Sequence, residues 1–148
     1  YVGVGVDHND DVLTDRNLYR ANSSCPSVLA EEVWVLDELR DHRDSLKLSC
    51  WAGIGDKRSL YQQATLDAFL KPDDLLEAVN SKTTESLVGT AVCSGTVSTD
   101  DDVTVDARPD VTDGDYYTME LYDPHLNRYL SHQYEVSLKD WVSACDLP

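Results

Sequence analysis

The chain has 148 residues and carries 28 acidic against 12 basic side chains, a formal net charge of −16 with an isoelectric point near 4.3. Its length predicts a single domain over residues 1–148, and its hydrophobic content of 41% is typical of a folded protein. So acidic a surface repels phosphate backbones and anionic lipid headgroups, which argues against nucleic acids and membrane surfaces as partners. A basic protein, a cationic ligand or high salt suits it better.

The N-terminal part of the chain shows two apolar patterns of different period. Val and Gly alternate over residues 1–6, which predicts a strand, and a polar, acidic loop follows over residues 8–15. Over residues 27–46 apolar side chains recur at intervals near 3.6 without an internal Gly or Pro, which predicts an amphipathic helix. The members of its apolar side are Leu29, Val33, Leu36 and Leu39.

Two more helices are expected after the first one. Leu60, Ala64 and Ala68 are spaced four apart, as on one helix face, which predicts a second main helix over residues 56–70. Pro72 ends this helix, because proline removes a helical hydrogen bond. A short third helix is predicted over residues 73–79, with acids at its start, where the helix dipole favours them.

The second half of the chain changes to a period of two, which is typical of half-buried strands. Strands are predicted over residues 87–97, 103–108, 116–121 and 130–138, with connectors at 98–102, 113–114 and 123–128. Residues 137–145 are expected to close the domain as a short helix. The predicted fold class is therefore α+β: two main helices, then a four-stranded antiparallel meander and a short C-terminal helix, stabilised by disulfides.

The cysteines Cys25, Cys50, Cys93 and Cys145 are even in number and widely spaced, which favours two structural disulfides over a zinc or redox motif. A continuous helix over residues 27–46 is about 30 Å long. Bridged Cα atoms lie within about 7 Å of each other, so a Cys25–Cys50 bond is not expected. Two connectivities remain, Cys25–Cys93 with Cys50–Cys145 and Cys25–Cys145 with Cys50–Cys93, and each joins the helical half to the sheet half.

Several features favour a secreted, extracellular protein. Disulfides persist in oxidising compartments, and Asn22 heads an Asn-Ser-Ser sequon that predicts N-glycosylation at this residue. The chain begins at Tyr1, as a processed product would. No apolar run is long enough to span a membrane, so membrane insertion is not expected.

Motifs for catalysis, metals and cofactors are scarce. The sequence contains no nucleophile elbow, complete phosphate loop or zinc ligand pair, so no cofactor and no metal site are assigned. His132 is a catalytic candidate because it falls on the inward phase of its strand, where a histidine can act as general acid or base. Glu120 and Glu135 have the outward phase, which favours a hydrogen-bonded core histidine instead.

Tyrosines crowd the last two predicted strands. Tyr116, Tyr122 and Tyr129 can share one outward face, and tyrosine is enriched at binding interfaces because it combines contact area with a polar tip. Ordinary cross-strand packing is the alternative interpretation. Acids around such a face favour a basic protein or a cell-surface partner, and nothing in the sequence indicates the oligomeric state.

Three hypotheses for the function follow. The first is a secreted, non-enzymatic binding protein of the effector, toxin or immune-modulator type that engages a basic partner through its tyrosine-rich sheet face. The second is a secreted small hydrolase with His132 as general acid or base. The third is a salt-adapted extracellular structural domain, which the large excess of aspartate among the acids favours.

Overall fold

The computed structural model of the chain describes residues 1–8, 17, 20, 25–54, 56–95, 97 and 115–137, and within them the backbone is mostly β-sheet. The bounds of the elements are as follows. The strands are β1 (Gly5–Asp7), β2 (Ser27–Leu29), β3 (Lys47–Ile54), β4 (Lys57–Thr65), β5 (Tyr116–Asp123) and β6 (Arg128–Glu135). The helical elements are α1 (Pro72–Asn80) and the short 3-10 turns Leu36–Glu38, Arg43–Ser45 and Leu66–Ala68.

The larger of two sheets contains four antiparallel strands in the order β4-β3-β5-β6. β3 and β4 form a hairpin whose register shifts at a β-bulge between Cys50 and Trp51. β5 pairs with the other side of β3, and β6 follows β5 in a second hairpin that places Met119 opposite His132. Within the described part of the chain, β4 and β6 are therefore the edge strands of this sheet, and β1 and β2 form a separate two-stranded ribbon.

A tight turn joins β5 to β6. Asn127 adopts a φ of 48°, in the left-handed region that asparagine tolerates better than most residues. Oδ1 of Asp123 accepts hydrogen bonds from the backbone N–H groups of His125 at 3.0 Å and Leu126 at 3.1 Å. This local bonding is the Asx-type arrangement that favours chain reversal, and the turn agrees with the connector predicted over residues 123–128.

The core lies on one side of the larger sheet, which we call the inner face; the opposite side is the outer face. Inner-face side chains of β5 and β6 pack against the N-terminal segment and the turns that follow β2. An antiparallel bridge between Val2 and Trp34 holds that layer together. The buried members of the main core cluster are Val4, Trp34, Leu39, Leu46, Met119, Leu121 and Leu130.

The first predicted helix, over residues 27–46, is absent. The segment begins as β2 and continues through two 3-10 turns. Its predicted apolar side is not a continuous surface, because Leu39 is fully buried whereas Leu29 and Val33 are each 53% exposed. The segment buries single side chains from an irregular backbone, and its β-branched valines favour extended conformations.

The second predicted helix, over residues 56–70, is also wrong. These residues form strand β4 of the β3–β4 hairpin and the turn Leu66–Ala68. The β-bulge switches the phase of β4, so that Leu60 lies opposite Trp51 on the outer face and Ala64 lies opposite Leu48 on the inner face. An unbroken alternation would have indicated a strand, and the phase switch removed that signal.

The remaining predicted elements have mixed outcomes. The short helix predicted over residues 73–79 is present as α1, and β5 and β6 correspond to the strands predicted over residues 116–121 and 130–138. Residues 87–95 and Val97 form no strand. The predictions over residues 98–102, 103–108, 113–114 and 138–145 lie outside the described residues. The predicted α+β class with two main helices is therefore replaced by a mostly β fold.

The predicted disulfide stabilisation is a further correction. Cys25, Cys50 and Cys93 form no disulfide with one another, and Cys145 lies outside the described residues. Both predicted connectivities are therefore absent, because each contains a bond from Cys93 to Cys25 or to Cys50. Cys50 lies within β3, where its side chain is 6% exposed, whereas Cys93 is exposed.

The absence of the first helix can be tested by comparing two leucines that the helix would have placed on one side. Leu39→Ala is expected to lower the free energy of unfolding by about 2–5 kcal/mol, because it leaves a cavity in the core. Leu29→Ala is expected to change it by less than about 0.5 kcal/mol, since this side chain is largely exposed. Urea unfolding followed by circular dichroism measures both. Similar losses for the two variants would contradict the described packing.

Candidate functional site

The three tyrosines singled out by the sequence lie together on the outer face. Tyr116 and Tyr122 belong to one phase of β5, and Tyr129 of β6 stands directly opposite Tyr122. The rings of Tyr122 and Tyr129 are stacked, with their centroids 4.4 Å apart and 20° between their planes. Tyr129 is 53% exposed, and the other two tyrosines are half-buried.

The strand register orders the outer face into four rows that run across β4, β3, β5 and β6. From one end of the sheet to the other, the rows are Thr65, Lys47, Tyr122 and Tyr129; Gln63, Ser49, Glu120 and Ser131; Leu60, Trp51, Thr118 and Gln133; and Arg58, Gly53, Tyr116 and Glu135. Aromatic side chains lie towards both ends of this grid, and polar side chains lie between them. The outer face is therefore a mixed aromatic and polar surface rather than a second apolar core.

We call one end of the outer face, which Trp51, Arg58, Gly53 and Tyr116 form, the platform. The guanidinium of Arg58 lies over the Trp51 ring, with Cζ 4.2 Å from the ring centroid. A Cβ atom at Gly53 would overlap the Tyr116 ring, so this glycine leaves the space in which the ring lies against the sheet. The platform already holds one cation against an aromatic ring, an interaction that the electrostatics of the ring face favour.

Glu120 is a half-buried carboxylate in the second row. Burial raises the pKa of Glu120, and the nearby positive charge of Arg58 opposes this effect. Partial desolvation, together with Tyr122 and Glu120, raises the pKa of the Tyr129 phenol, which places the carboxylate close to the stacked pair. Among the described residues, Glu120 forms neither a hydrogen bond nor an ion pair through its carboxylate. An aromatic pair beside such a carboxylate suits a cationic group.

His132, the catalytic candidate, lies on the inner face, opposite Met119. Its ring stacks on that of Tyr134, with the centroids 6.1 Å apart. Within the described part of the chain, no carboxylate is hydrogen-bonded to His132. Glu120 and Glu135 lie on the other side of the sheet, so the structure does not bring His132 together with the carboxylates considered for it.

A second inner-face cluster surrounds Tyr134 and was not anticipated. The Tyr134 hydroxyl and Nε2 of His8 are hydrogen-bonded at 2.5 Å, and the His8 ring also contacts Tyr117, at a centroid distance of 5.2 Å. Burial raises the pKa of the Cys50 thiol to about 11. Burial, with smaller effects of Cys50 and Tyr117, also raises the pKa of Tyr134. Both groups are therefore neutral near pH 7, which suits core packing rather than nucleophilic chemistry.

The sequence analysis also missed a buried carboxylate at the end of β5. Asp123 is fully buried, and its Oδ2 accepts hydrogen bonds from His42 Nε2 at 3.1 Å and Arg128 Nε at 3.3 Å. Desolvation acts to raise the pKa of Asp123, but the bonds from His42 and from the backbone of the turn outweigh it and hold this pKa below its usual range. In the sequence, the turn-forming pair Asp123-Pro124 marked this position, but no local pattern indicated His42 as the partner of Asp123.

Further contacts extend the Asp123 network. Arg128 bonds Glu38 at 3.0 Å and lies over the Trp34 ring, 4.5 Å from its centroid. The rings of His42 and His125 stack 4.6 Å apart. Every one of these contacts joins the β5–β6 turn to the segment between β2 and β3. Since Asp123 has no exposed surface, we interpret the network as a structural tie rather than a ligand site.

A cleft between the 3-10 turns and the start of α1 is lined by Arg40, Arg43 and Lys71, among others. Arg40 is paired with Asp37 and Asp73 at 2.8 and 2.9 Å. Arg43 bonds Asp44 and the backbone carbonyls of the 69–70 segment. Because internal partners occupy both guanidinium groups, the cleft is a poor anion site.

The comparisons with known proteins place the chain in a family without assigning an activity. A family model described as "Protein of unknown function (DUF2848)" matches residues 1–134, so the chain belongs to this family. No curated protein and no solved structure matches the chain.

No helix of the described residues is long and apolar enough to cross a membrane. The same residues contain no cluster of three or more His, Cys, Asp or Glu side chains that could hold a metal ion. The Asn22 sequon lies outside the described residues, and glycosylation there stays a prediction.

The Asp123 network predicts a specific pH dependence of stability. Asp123→Asn is expected to lower the free energy of unfolding at pH 7 by about 1.5–3 kcal/mol, because the hydrogen bonds from Arg128, His42 and the turn lose their charged acceptor. Since the folded pKa of Asp123 is lowered, its contribution is fully present above the unfolded carboxyl pKa of about 4 and is lost as pH falls through the folded pKa. The variant should therefore lose less stability than the wild type on acidification.

Asp37→Asn is the matched control, because the Asp37 side chain is 82% exposed and its ion pair with Arg40 lies at the surface. It is expected to leave the free energy of unfolding nearly unchanged, because an exposed ion pair contributes little. Urea titrations over a series of pH values measure all three proteins. Parallel pH profiles for the wild type and Asp123→Asn would rule out the assigned role of Asp123.

Proposed function

We propose that the protein is a binding protein that engages a basic protein partner through the outer face of its larger sheet. The observation that carries the proposal is the stacked Tyr122–Tyr129 pair, half open to solvent, beside the Glu120 carboxylate, which forms no ion pair or hydrogen bond with the described residues. Stacked aromatic rings next to a negative charge present both features that attract a guanidinium or ammonium group. Tyrosine also supplies contact area with little loss of side-chain entropy on binding.

The net charge of the whole molecule and the local charges of the outer face have separate roles in binding. The outer face itself carries Lys47 and Arg58 as well as Glu120 and Glu135, so its formal charges balance. The remainder of the chain supplies the net charge of −16. Long-range attraction by the whole molecule raises the rate of encounter with a basic partner, whereas short-range contacts on the outer face select it.

The proposal does not depend on secretion. The cysteine argument for an oxidising compartment is weakened, because Cys25, Cys50 and Cys93 form no disulfide with one another. An effector, toxin or immune-modulator role is compatible with binding to a basic partner, but the outer face alone supports only the binding. The hydrolase hypothesis is not carried further, because no described carboxylate converges on His132.

Tyr129→Ala is the direct test of the outer face. It removes one ring of the stacked pair and should weaken binding of a short arginine-rich peptide about tenfold, the effect of losing a partly desolvated cation–π contact. Tyr1→Ala is the matched control, since Tyr1 is 88% exposed and does not belong to the larger sheet. Calorimetric titration measures both variants, and the affinity of the wild type should fall as salt is added. Equal affinities for the two variants would show that the peptide binds elsewhere.

A salt-adapted domain is the second candidate, and the distribution of acids favours it. Apart from Asp115, Glu120 and Asp123, every acidic side chain of the described residues is exposed. At low ionic strength these charges repel one another and destabilise the folded chain, whereas salt screens the repulsion. This candidate concerns the conditions in which the protein works and is compatible with a binding role.

Thermal unfolding in increasing KCl tests the second candidate. A salt-adapted domain should gain stability continuously up to molar KCl, well beyond the concentration at which simple screening is complete. Potassium sulfate and guanidinium chloride at matched ionic strength separate screening from other salt effects, because these salts have opposite effects on apolar burial. A midpoint that stops rising by a few tenths molar would leave only ordinary screening.

A further inference from the structure

Among the strands that the structure describes, β6 lies at an edge of the larger sheet and pairs on one side only. The sheet order ends at β6, and among the described elements only β5 pairs with it. Its eight residues pair with β5 in an unbroken register, without a bulge, and contain neither Pro nor Lys. Bulges, prolines and lysines are features by which proteins commonly protect an edge strand against further pairing. β6 therefore presents an extended backbone that is able to accept another strand.

The hydrogen-bonding phase of β6 identifies which backbone groups face the open edge. The N–H of Val136 donates to the carbonyl of Asp115 at 2.6 Å, so these opposite residues form a hydrogen-bonded pair. Hydrogen-bonded and non-hydrogen-bonded pairs alternate along an antiparallel ladder. Every second residue of β6, counted back from Val136, therefore forms backbone hydrogen bonds with β5. The residues between them direct their backbone N–H and C=O groups away from β5. Those intervening residues are Tyr129, Ser131, Gln133 and Glu135.

We propose that an extended segment of the basic partner adds to the free edge of β6 as a fifth strand and bonds the backbones of these four residues. This inference rests on the proposed function and specifies how the partner is held. Strand addition supplies affinity through main-chain bonds, and the side chains at alternate positions supply selectivity.

The side chains next to the free edge define the chemistry of that segment. The residues whose backbones face the edge are the same ones whose side chains lie on the outer face, so the added strand extends each of the four rows by one position. A cation in the first row contacts the exposed ring of Tyr129, and a cation in the fourth row meets the carboxylate of Glu135. The matching positions of the partner are therefore expected to be basic or polar.

The alternate side chains of the added strand lie over the inner face. There they lie beside the half-buried rings of His132 and Tyr134. These neighbours favour apolar side chains. The segment that fits β6 is thus one in which basic and apolar residues alternate with a period of two. A second copy of the chain fits less well, because two molecules of charge −16 repel each other.

Amide hydrogen exchange measured by NMR tests this mode of binding, with an alternating Arg–Val peptide as the probe. In the protein alone, the amides of the bonded phase, including Val136, should exchange slowly, and those of Tyr129, Ser131, Gln133 and Glu135 should exchange rapidly. Saturation with the peptide should make the second set slow. Peptide binding that leaves the second set rapid would overturn strand addition while leaving the proposed function in place.

The other outcomes of the exchange experiment are equally decisive. Failure of the peptide to bind the wild type would overturn the proposed function and this inference with it. Protection of the four edge amides without peptide, increasing with protein concentration, would identify a second copy of the chain as the occupant and would also overturn the inference.

A proline substitution provides an independent test at the backbone. Ser131→Pro removes an N–H that faces away from β5 and bonds no other described strand, at an edge position where proline is tolerated, and should weaken peptide binding by about tenfold or more. Ser131→Ala keeps the N–H and should bind like the wild type. Gln133→Pro repeats the test at the next edge amide in case Ser131→Pro does not fold, which circular dichroism will show. Folded proline variants that bind as tightly as Ser131→Ala would refute the added strand.

Discussion

The buried carboxylate of Asp123 is the constraint on which the arrangement of the sheet depends. It sits at the last position of β5, where it accepts bonds from the turn, from Arg128 on β6 and from His42 far along the chain. A carboxylate without solvent is stable only when such donors surround it, so each donor is held in place by the same requirement. The turn, the start of β6 and the segment before β3 are therefore positioned together.

This positioning determines which side chains reach the outer face. Side chains of a strand alternate between its two sides, so a shift of one residue between β5 and β6 would move Tyr129 to the core and Leu130 to the surface. Asp123 and Arg128 stand opposite each other in the observed register, and their bond opposes such a shift. The stacked tyrosine pair thus owes its location to an ion pair on the other side of the sheet.

The parts of the fold that the sequence predicted are those determined by local interactions. β5, β6 and their turn follow from alternation and from turn-forming residues within about twenty positions of the chain. The segments around Leu39 and Leu60 follow instead from a phase switch in β4 and from contacts with distant strands, which a count of apolar intervals does not detect. The tyrosine face was found because it depends on strand phase alone. The bond between His42 and Asp123 joins residues 81 positions apart, and no pattern in either neighbourhood indicates it.

The contact between Gly53 and the Tyr116 ring has a consequence for how members of this family vary. The ring occupies the volume that any side chain at position 53 would need, so the two positions share one space on the outer face. A larger residue at position 53 is compatible with the sheet only if position 116 carries a smaller one or its side chain turns away. In an alignment of relatives, we therefore expect the identities at these two positions to change together. The residue at position 116 would then show whether a given relative keeps the aromatic ring at this end of the outer face.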